Sequence, residues 1–315
     1  MATTILKSLC LVILLAACTS TRNNRQQITG ISDNSEDTLQ PLITAGESPR
    51  SLMELPQSPD GGFVLSPGFY EAEFKTYCLQ PGTPDPRPHD AYLQGPVTGY
   101  RSDIVQSVLL NSRKHPSMDQ RHVQLLLWSV VSGSSFSKLS PAVQADAMRL
   151  LTPKQVFELK GGVIGVIKTV SSSTGILNGS SEMQRLFEMG TSSYEAFERM
   201  AVTREPSQIR KAGVKADKWY KQRDNYYVRF FPASYKKVKI QVYVPQDIDT
   251  STYIVFDPTG QQAIPAFTNA QRLGVGAPVI DMVRVIIDVS TKQRKPEDKK
   301  ETGEVKRPSR RDSSW

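Results

Sequence analysis

Between residues 61 and 205 most apolar residues recur at the spacing of an α-helix. One apolar face consists of Tyr100, Ile104, Val105, Val108 and Leu109. Such a face predicts an amphipathic helix. Residues 122–131 (HVQLLLWSVV) are apolar on nearly all sides, which predicts a central helix that is buried all round. Ser140-Pro141 and Thr152-Pro153 each place a capping hydroxyl before a proline, so two further helices are predicted to begin there.

The apolar period is two in a leading segment and again towards the C-terminus. Gly68–Cys78 alternates, which predicts a strand. Lys237–Val244 carries valine or isoleucine at every second position, and this predicts a strand with one buried and one hydrated face. Tyr226–Phe231 and Val283–Val289 are predicted as further strands.

Turn-forming residues predict two of the connections. The segment Asp257-Pro258-Thr259-Gly260 predicts the turn of a hairpin whose strands are residues 253–256 and 263–267. Residues 81–99 contain five prolines. Because proline cannot donate a hydrogen bond to a ladder, this segment is predicted to be an irregular loop.

These patterns predict an α+β fold organised in five segments. Residues 1–17 are a signal peptide, and residues 18–60 form a flexible tether because they are polar and lack an apolar period. Residues 61–205 form a mainly helical domain with a leading strand, and residues 206–290 form a small antiparallel β domain. Residues 291–315 are a basic tail that is disordered by composition.

The N-terminus carries the signals of an exported, lipid-modified protein. Lys7 precedes a short apolar run, Ser8–Ala17, which has the length of a secretory signal core rather than of a transmembrane helix. The run ends in Leu15-Ala16-Ala17-Cys18, which resembles the lipobox of bacterial lipoproteins. An ordinary signal peptide that happens to contain a cysteine is the alternative reading of the same residues.

The lipoprotein resemblance implies that Cys18 becomes the first mature residue and carries acyl chains. Two or three buried acyl chains hold a protein durably in a bilayer, at about 0.8 kcal/mol per methylene. Thr19 follows the cysteine, and in such lipoproteins a residue other than Asp implies transfer to the outer membrane. The body is then expected to face either the periplasm or the cell exterior.

Composition and charge limit the class of protein and the kinds of partner that its basic tail could bind. The chain has 315 residues, 38% hydrophobic and 22% charged, which excludes wholesale disorder and a small disulfide scaffold. Its net charge is +8, and the tail, with nine Lys or Arg against five Asp or Glu, supplies about half of it. In the envelope such a tail is expected to meet lipid A phosphates, acidic glycans or an acidic protein surface rather than nucleic acid, or to stay solvated without a fixed partner.

The sequence lacks the familiar catalytic constellations. There are three histidines but no HExxH motif, no pair of cysteines spaced for zinc, no phosphate-binding loop and no nucleophile elbow. We therefore expect no enzymatic activity, no cofactor and no metal site.

Cys78 is the one cysteine left after processing, because Cys10 leaves with the signal peptide and Cys18 is acylated. A lone cysteine in an oxidising compartment is buried, paired with another chain or chemically occupied. A second group of interest is Gln124, which lies in the predicted central helix, four residues before Trp128.

The segments Tyr77-Cys78-Leu79 and 123–128 (VQLLLW) resemble the paired motifs of bacterial thioester domains, and the resemblance covers about residues 70–133. It implies that the Cys78 thiol displaces ammonia from the Gln124 side chain to form an internal thioester, which is shielded until a host amine attacks it. Leu126 departs from the alanine of that family. One alternative is that Cys78 is an inert buried thiol and that Gln124 makes structural hydrogen bonds. Another is a scaffold related to that domain in which the bond does not form.

Two functions follow as hypotheses. The first is an outer-membrane lipoprotein that acts without catalysis as a binding or structural component of the envelope. A more specific form of this hypothesis makes it part of a larger envelope-spanning assembly. The second is a surface adhesin that uses Cys78 and Gln124 to bond covalently to host amines.

The lipid anchor is tested by the substitution Cys18→Ser. Without the thiol no acyl chain can be attached, and we expect the variant to leave the detergent-soluble membrane fraction. The matched control is Cys10→Ser, which lies within the signal peptide and should keep the mature chain in the membrane. A processed Cys18→Ser chain that still fractionates with lipid would contradict the anchor.

Overall fold

A computed structural model describes residues 41, 47–88, 90–99, 101–161, 177–208, 218–248, 253–266 and 268–280. The predicted signal peptide, the lipobox with Cys18, most of the tether, the strand Val283–Val289 and the basic tail lie outside these residues.

The described chain combines helices with a mainly antiparallel sheet, so the fold is α+β. The α-helices are α1 (Ser102–Ser112), α2 (Gln120–Ser132), α3 (Pro141–Leu150), α4 (Pro153–Leu159), α5 (Leu177–Glu188) and α6 (Tyr194–Ala201). The strands are β1 (Arg50–Ser51), β2 (Phe63–Val64), β3 (Gly68–Cys78), β4 (Thr83–Pro84), β5 (Tyr92–Pro96), β6 (Val202–Thr203), β7 (Tyr220–Lys221), β8 (Tyr227–Ser234), β9 (Lys237–Val244), β10 (Val255–Phe256), β11 (Gln261–Pro265) and β12 (Leu273–Pro278).

Eight strands form one sheet around β3. The strand order is β5-β11-β12-β3-β9-β8-β7, and β1 pairs in parallel with β3. On one edge β3 pairs with β9 from Gly68↔Val244 to Lys75↔Lys237, and on the other it pairs with β12. Because β5 also contacts β8, the sheet curls towards a barrel.

The sheet joins the two regions that the sequence analysis separates near residue 205. Strand β3 belongs to the predicted helical domain, yet both of its long partners, β9 and β12, belong to the predicted β domain. The compact unit that contains these strands continues to Pro278. The change of period along the chain therefore marks a change of element type rather than a boundary between two sheets.

The helices pack over the sheet as their sequence patterns predict. The face of α1 that comprises Ile104, Val105, Val108 and Leu109 is buried, and α1 contacts β12. The central helix α2 buries Leu127, Trp128 and Val130 and contacts α1, α3, α5 and β3. The predicted starts at Ser140 and Thr152 are confirmed, since both hydroxyls accept hydrogen bonds from backbone N–H groups in the first turn.

Three local predictions were wrong. The hairpin around Asp257–Gly260 does not form, because β10 pairs with β2 while β11 pairs with β12 and β5. The proline-rich segment contains β5, which tolerates Pro96 at the margin of the sheet. The predicted tether extends too far, because Leu52 is fully buried and the chain pairs with β3 from Arg50.

Within the described ranges, no helix is both long and apolar enough to cross a bilayer.

The shared core is tested by Ile240→Ala in the middle of β9. Ile240 is fully buried, so we expect the free energy of unfolding to fall by about 2–5 kcal/mol. Because one core underlies both sets of elements, the circular dichroism of the helices and the tryptophan emission should shift together in denaturant.

Lys239→Ala is the matched control, since Lys239 lies on the other face of β9 in a surface ion pair with Glu71. It should change stability by less than about 1 kcal/mol. Helical signal that survives the loss of the sheet in Ile240→Ala would show that the helices form a separate folding unit.

Candidate functional site

The site lies where β3 loses one of its neighbours. The pairing of β3 with β9 ends at Lys75↔Lys237, while the pairing with β12 continues to Cys78↔Leu273. The last residues of β3 therefore present backbone groups on the β9 side that have no strand partner. Cys78 is the final residue of β3 and is fully buried.

Two glutamines on α2 replace the missing strand. Gln124 Oε1 accepts a hydrogen bond from the backbone N–H of Cys78 at 2.8 Å, and Gln124 Nε2 donates to the carbonyl oxygen of Cys78 at 3.0 Å. Gln120 lies one helical turn earlier, and its Nε2 donates to the carbonyl oxygens of Thr76 at 3.1 Å and Lys236 at 2.7 Å. Residues four apart share a helix face, so this spacing lets α2 bind along the end of β3.

The Gln124 amide is completely committed in this arrangement. The side chain is only 1% exposed, and both polar atoms of its amide group bind the backbone of one residue, Cys78. A buried amide without partners costs free energy, so the pair is favourable in a dry site. It also holds the amide of Gln124 against the residue that carries the thiol.

Burial keeps the thiol of Cys78 neutral. It raises the pKa of the thiol from 9.0 to about 12, and the Asp85 carboxylate acts in the same direction. The indole N–H of Trp128 and the backbone N–H of Gln80 favour the thiolate, but they offset only part of the effect of burial. At neutral pH the thiol is therefore protonated, and it is a weak nucleophile in that form.

Trp128 belongs to an aromatic cluster next to the Cys78 thiol. Its ring stacks on Tyr194 with the centroids 5.6 Å apart, and it is tilted against Tyr235 at 6.5 Å. The indole N–H has no hydrogen-bonding partner in the part of the chain that the structure describes. It is close enough to the Cys78 sulfur to favour the thiolate form, without making a hydrogen bond of regular geometry to it.

A cavity of about 190 Å³ reaches this cluster from the surface. Its lining comprises Asp119, Gln120, Arg121, Gln124, Tyr194, Tyr235 and Lys236. A larger cavity of about 540 Å³ shares Tyr235 and Lys236 with it and also contains Asp85 and Glu198. A small molecule or an extended side chain that entered the first cavity would therefore approach Gln124.

A chain of hydrogen bonds joins the two cavities. The hydroxyl oxygens of Tyr194 and Tyr235 are 2.8 Å apart, and the Tyr235 hydroxyl donates to Glu198 Oε1. Lys236 Nζ lies 2.8 Å from the same carboxylate oxygen. Burial disfavours the charge on Glu198, but the hydrogen bonds from Lys236 and Tyr235 outweigh it and lower the pKa of the carboxyl group.

The structure brings the two predicted site residues together, although they are 46 positions apart in the chain. It also adds Tyr194, Tyr235 and Glu198, which sequence reasoning did not single out. The spacing of Tyr194 and Glu198 shows only that they share a helix face. Tyr235 lies in the turn between β8 and β9, where the sequence carries no signal for a buried hydroxyl.

Cys18, the predicted lipidation site, lies outside the described residues. Among the residues that the structure describes, no group of three or more histidine, cysteine, aspartate or glutamate side chains is placed to hold a metal ion.

Comparison with protein-family models found no match to this chain. Comparisons with curated proteins and with solved structures also found none. The resemblance to thioester domains therefore depends on the residues around Cys78 and Gln124 themselves.

The hydrogen bonds of Gln124 are tested by Gln124→Leu. This substitution leaves the N–H and C=O of Cys78 buried without partners, so we expect a loss of about 2–5 kcal/mol in the free energy of unfolding, measured by denaturant titration.

Gln120→Leu is the matched control, because the two carbonyl oxygens that Gln120 binds are less buried than the Cys78 backbone. That of Lys236 is exposed and that of Thr76 is part-buried, so water can replace the side chain at Lys236. Gln120→Leu should cost less than about 1.5 kcal/mol. Equal losses for the two variants would mean that the Cys78 backbone finds other partners.

Proposed function

We propose that this protein is an outer-membrane lipoprotein, anchored through Cys18, whose body binds another component of the cell envelope without catalysing a reaction. The lipobox supports the location. The role is supported by the state of the most reactive side chain. The Cys78 thiol is fully buried with a pKa of about 12, and Gln124 is committed to the Cys78 backbone.

This pairing supports a structural role for the two residues in the folded body. It joins the central helix α2 to the central strand β3 at the point where strand pairing stops. A rigid body on a lipid anchor suits a protein that holds a partner near a membrane. The partner is an envelope protein or, through the basic tail, an acidic glycan or lipid A.

The proposal is tested by photocrosslinking in native membranes. A crosslinking amino acid replaces one exposed residue at a time, chosen from Met148, Phe157, Met189 and Tyr253. These side chains lie on α3, on α4, after α5 and before β10, so they sample separate parts of the described surface. We expect one reproducible product from a subset of positions, and its loss in the Cys18→Ser background. Random neighbours at every position would contradict a specific partner.

The second candidate is a surface adhesin with an internal thioester, and one observation favours it. The two segments that resemble thioester-domain motifs meet in space, and a cavity reaches the Gln124 amide where it binds the Cys78 backbone. Bond formation joins the Cys78 sulfur to the Gln124 amide carbon, and the amide nitrogen leaves as ammonia with the thiol proton. An amine that attacks the carbonyl later forms an amide and returns the thiol.

Intact-mass measurement of the mature protein tests this candidate. The bond removes one ammonia, so a thioester lowers the mass by about 17 Da and blocks alkylation of the denatured thiol. Gln124→Glu is the matched control, because it keeps the shape of the side chain but has no ammonia to release. A full mass together with an alkylated Cys78 would reject the thioester.

Protease treatment of intact cells distinguishes the two candidates further. Only the adhesin requires the body to face outwards, so a body that is fully protected in intact cells and cleaved after the outer membrane is opened would favour the first candidate.

A further inference from the structure

The groups around the smaller cavity form a path for a proton. Gln124 and Tyr194 line the same cavity, the Tyr194 and Tyr235 oxygens are 2.8 Å apart, and Tyr235 donates to Glu198. The path therefore starts beside the amide that the thioester would use and ends at a carboxylate in the larger cavity.

We propose that Tyr194, Tyr235 and Glu198 are a proton relay that serves aminolysis at the Gln124 carbonyl. This inference rests on the second candidate function, the internal thioester. Tyr194 meets the incoming amine, whereas Tyr235 and Glu198 are positioning residues that act through Tyr194.

A relay would assist this reaction because protons must move during it and the leaving group, the Cys78 thiolate, is disfavoured by burial. The amine nitrogen bonds to the Gln124 carbonyl carbon, the carbon–sulfur bond breaks, and the nitrogen must lose one proton. The Cys78 sulfur must gain one, since burial disfavours its thiolate. The relay accepts the proton from nitrogen and passes it to Glu198, which returns it to solvent in the larger cavity. The sulfur takes its proton from solvent, so the relay ends in its starting state and no other reactant is consumed.

The charges around the relay keep Glu198 ionised, which is the state in which it can accept a proton from Tyr235. Lys236 and Arg121 stabilise the ionised form of Glu198, while Asp85 lies near enough for Glu198 to raise the pKa of Asp85. Lys236 Nζ lies 5.3 Å from the Tyr235 ring centroid, and the Arg121 guanidinium carbon lies 5.4 Å from that of Tyr194. An anionic carboxylate at the end of the chain can therefore draw a proton through Tyr235.

The packing of Tyr194 and Tyr235 is consistent with this role. Both rings contact Trp128, which is fixed on α2 one turn after Gln124. Their hydroxyls are thereby oriented by the same helix that carries the reacting amide, and such positioning lowers the cost of reaching a productive geometry.

The experiment uses the full mature lipoprotein, purified in detergent, and the variants Tyr235→Phe and Glu198→Gln. Tyr235→Phe removes the central hydroxyl and keeps the ring against Trp128. Tyr226→Phe is the matched control, because Tyr226 is also buried and packs instead against Phe256. Intact mass first reports the deficit of about 17 Da in each protein. Methylamine then adds about 31 Da as it opens the thioester, which gives the rate constant for the unprotonated amine.

We expect the deficit in all four proteins. The rate constant should fall by about 10²-fold in Tyr235→Phe, and by a smaller factor in Glu198→Gln, because a positioned acid–base group contributes about that much. Wild type and Tyr226→Phe should show a solvent deuterium isotope effect that Tyr235→Phe loses. This effect separates proton transfer from a purely structural role.

Each other outcome identifies what has failed. Wild type without the deficit rejects the thioester and, with it, the relay. A normal deficit with wild-type rates in Tyr235→Phe rejects the relay alone, as does a slower variant that keeps the isotope effect. If Tyr235→Phe does not fold, Glu198→Gln decides, since Glu198 is partly exposed and its substitution leaves the aromatic cluster intact.

Discussion

Two hydrogen bonds between the Gln124 amide and the Cys78 backbone join α2 to β3 where the pairing of β3 with β9 has ended. The central strand β3 pairs with β12 as far as its last residue, Cys78, but with β9 only as far as Lys75. In a dry core the unpaired backbone N–H and C=O groups at the end of such a strand need hydrogen-bonding partners, and a helix side chain provides them here. The position of α2 over the sheet, the burial of the thiol and the placement of Trp128 all depend on this replacement of a strand by an amide.

The same geometry underlies both functional candidates. An amide that binds a backbone in this manner is a good structural clamp. It is also held beside a thiol, next to a cavity, in surroundings from which water is largely excluded. The candidates differ in whether the carbon of that amide is bonded to the sulfur, and in whether the hydroxyls of Tyr194 and Tyr235 only fill space or also transfer protons. Burial of the thiol disfavours a thiolate enzyme in either case.

Local patterns predicted the elements better than their partners. Strong periodicity and capping residues that stand before a proline located α2, α3, α4 and β9, because these signals arise within a few residues. The sequence analysis predicted no strand at β12, where glycine, which is unfavourable in strands, stands at positions 274 and 276. The two glycines are there because a side chain at Gly274 would meet Leu109, and one at Gly276 would meet the ring of Tyr77. The hairpin predicted around Asp257–Gly260 was wrong because turn-forming residues do not determine which strands pair with each other. At the site, the motifs found Cys78 and Gln124, whereas Tyr235 acquires its role only from neighbours distant in sequence.

The central position of β3 has a consequence for how the body is assembled. A chain that emerges N-terminus first presents β3 early, but Glu71 pairs with Gln241, which is synthesised 170 residues later. Until then this long strand has open edges, the condition in which a chain is most prone to pair with another copy of itself. Such distant pairing also makes folding slow. A nascent body of this kind depends on being shielded in transit. The vulnerable interval ends only when β12, which follows β9 in the chain, covers the other edge of β3.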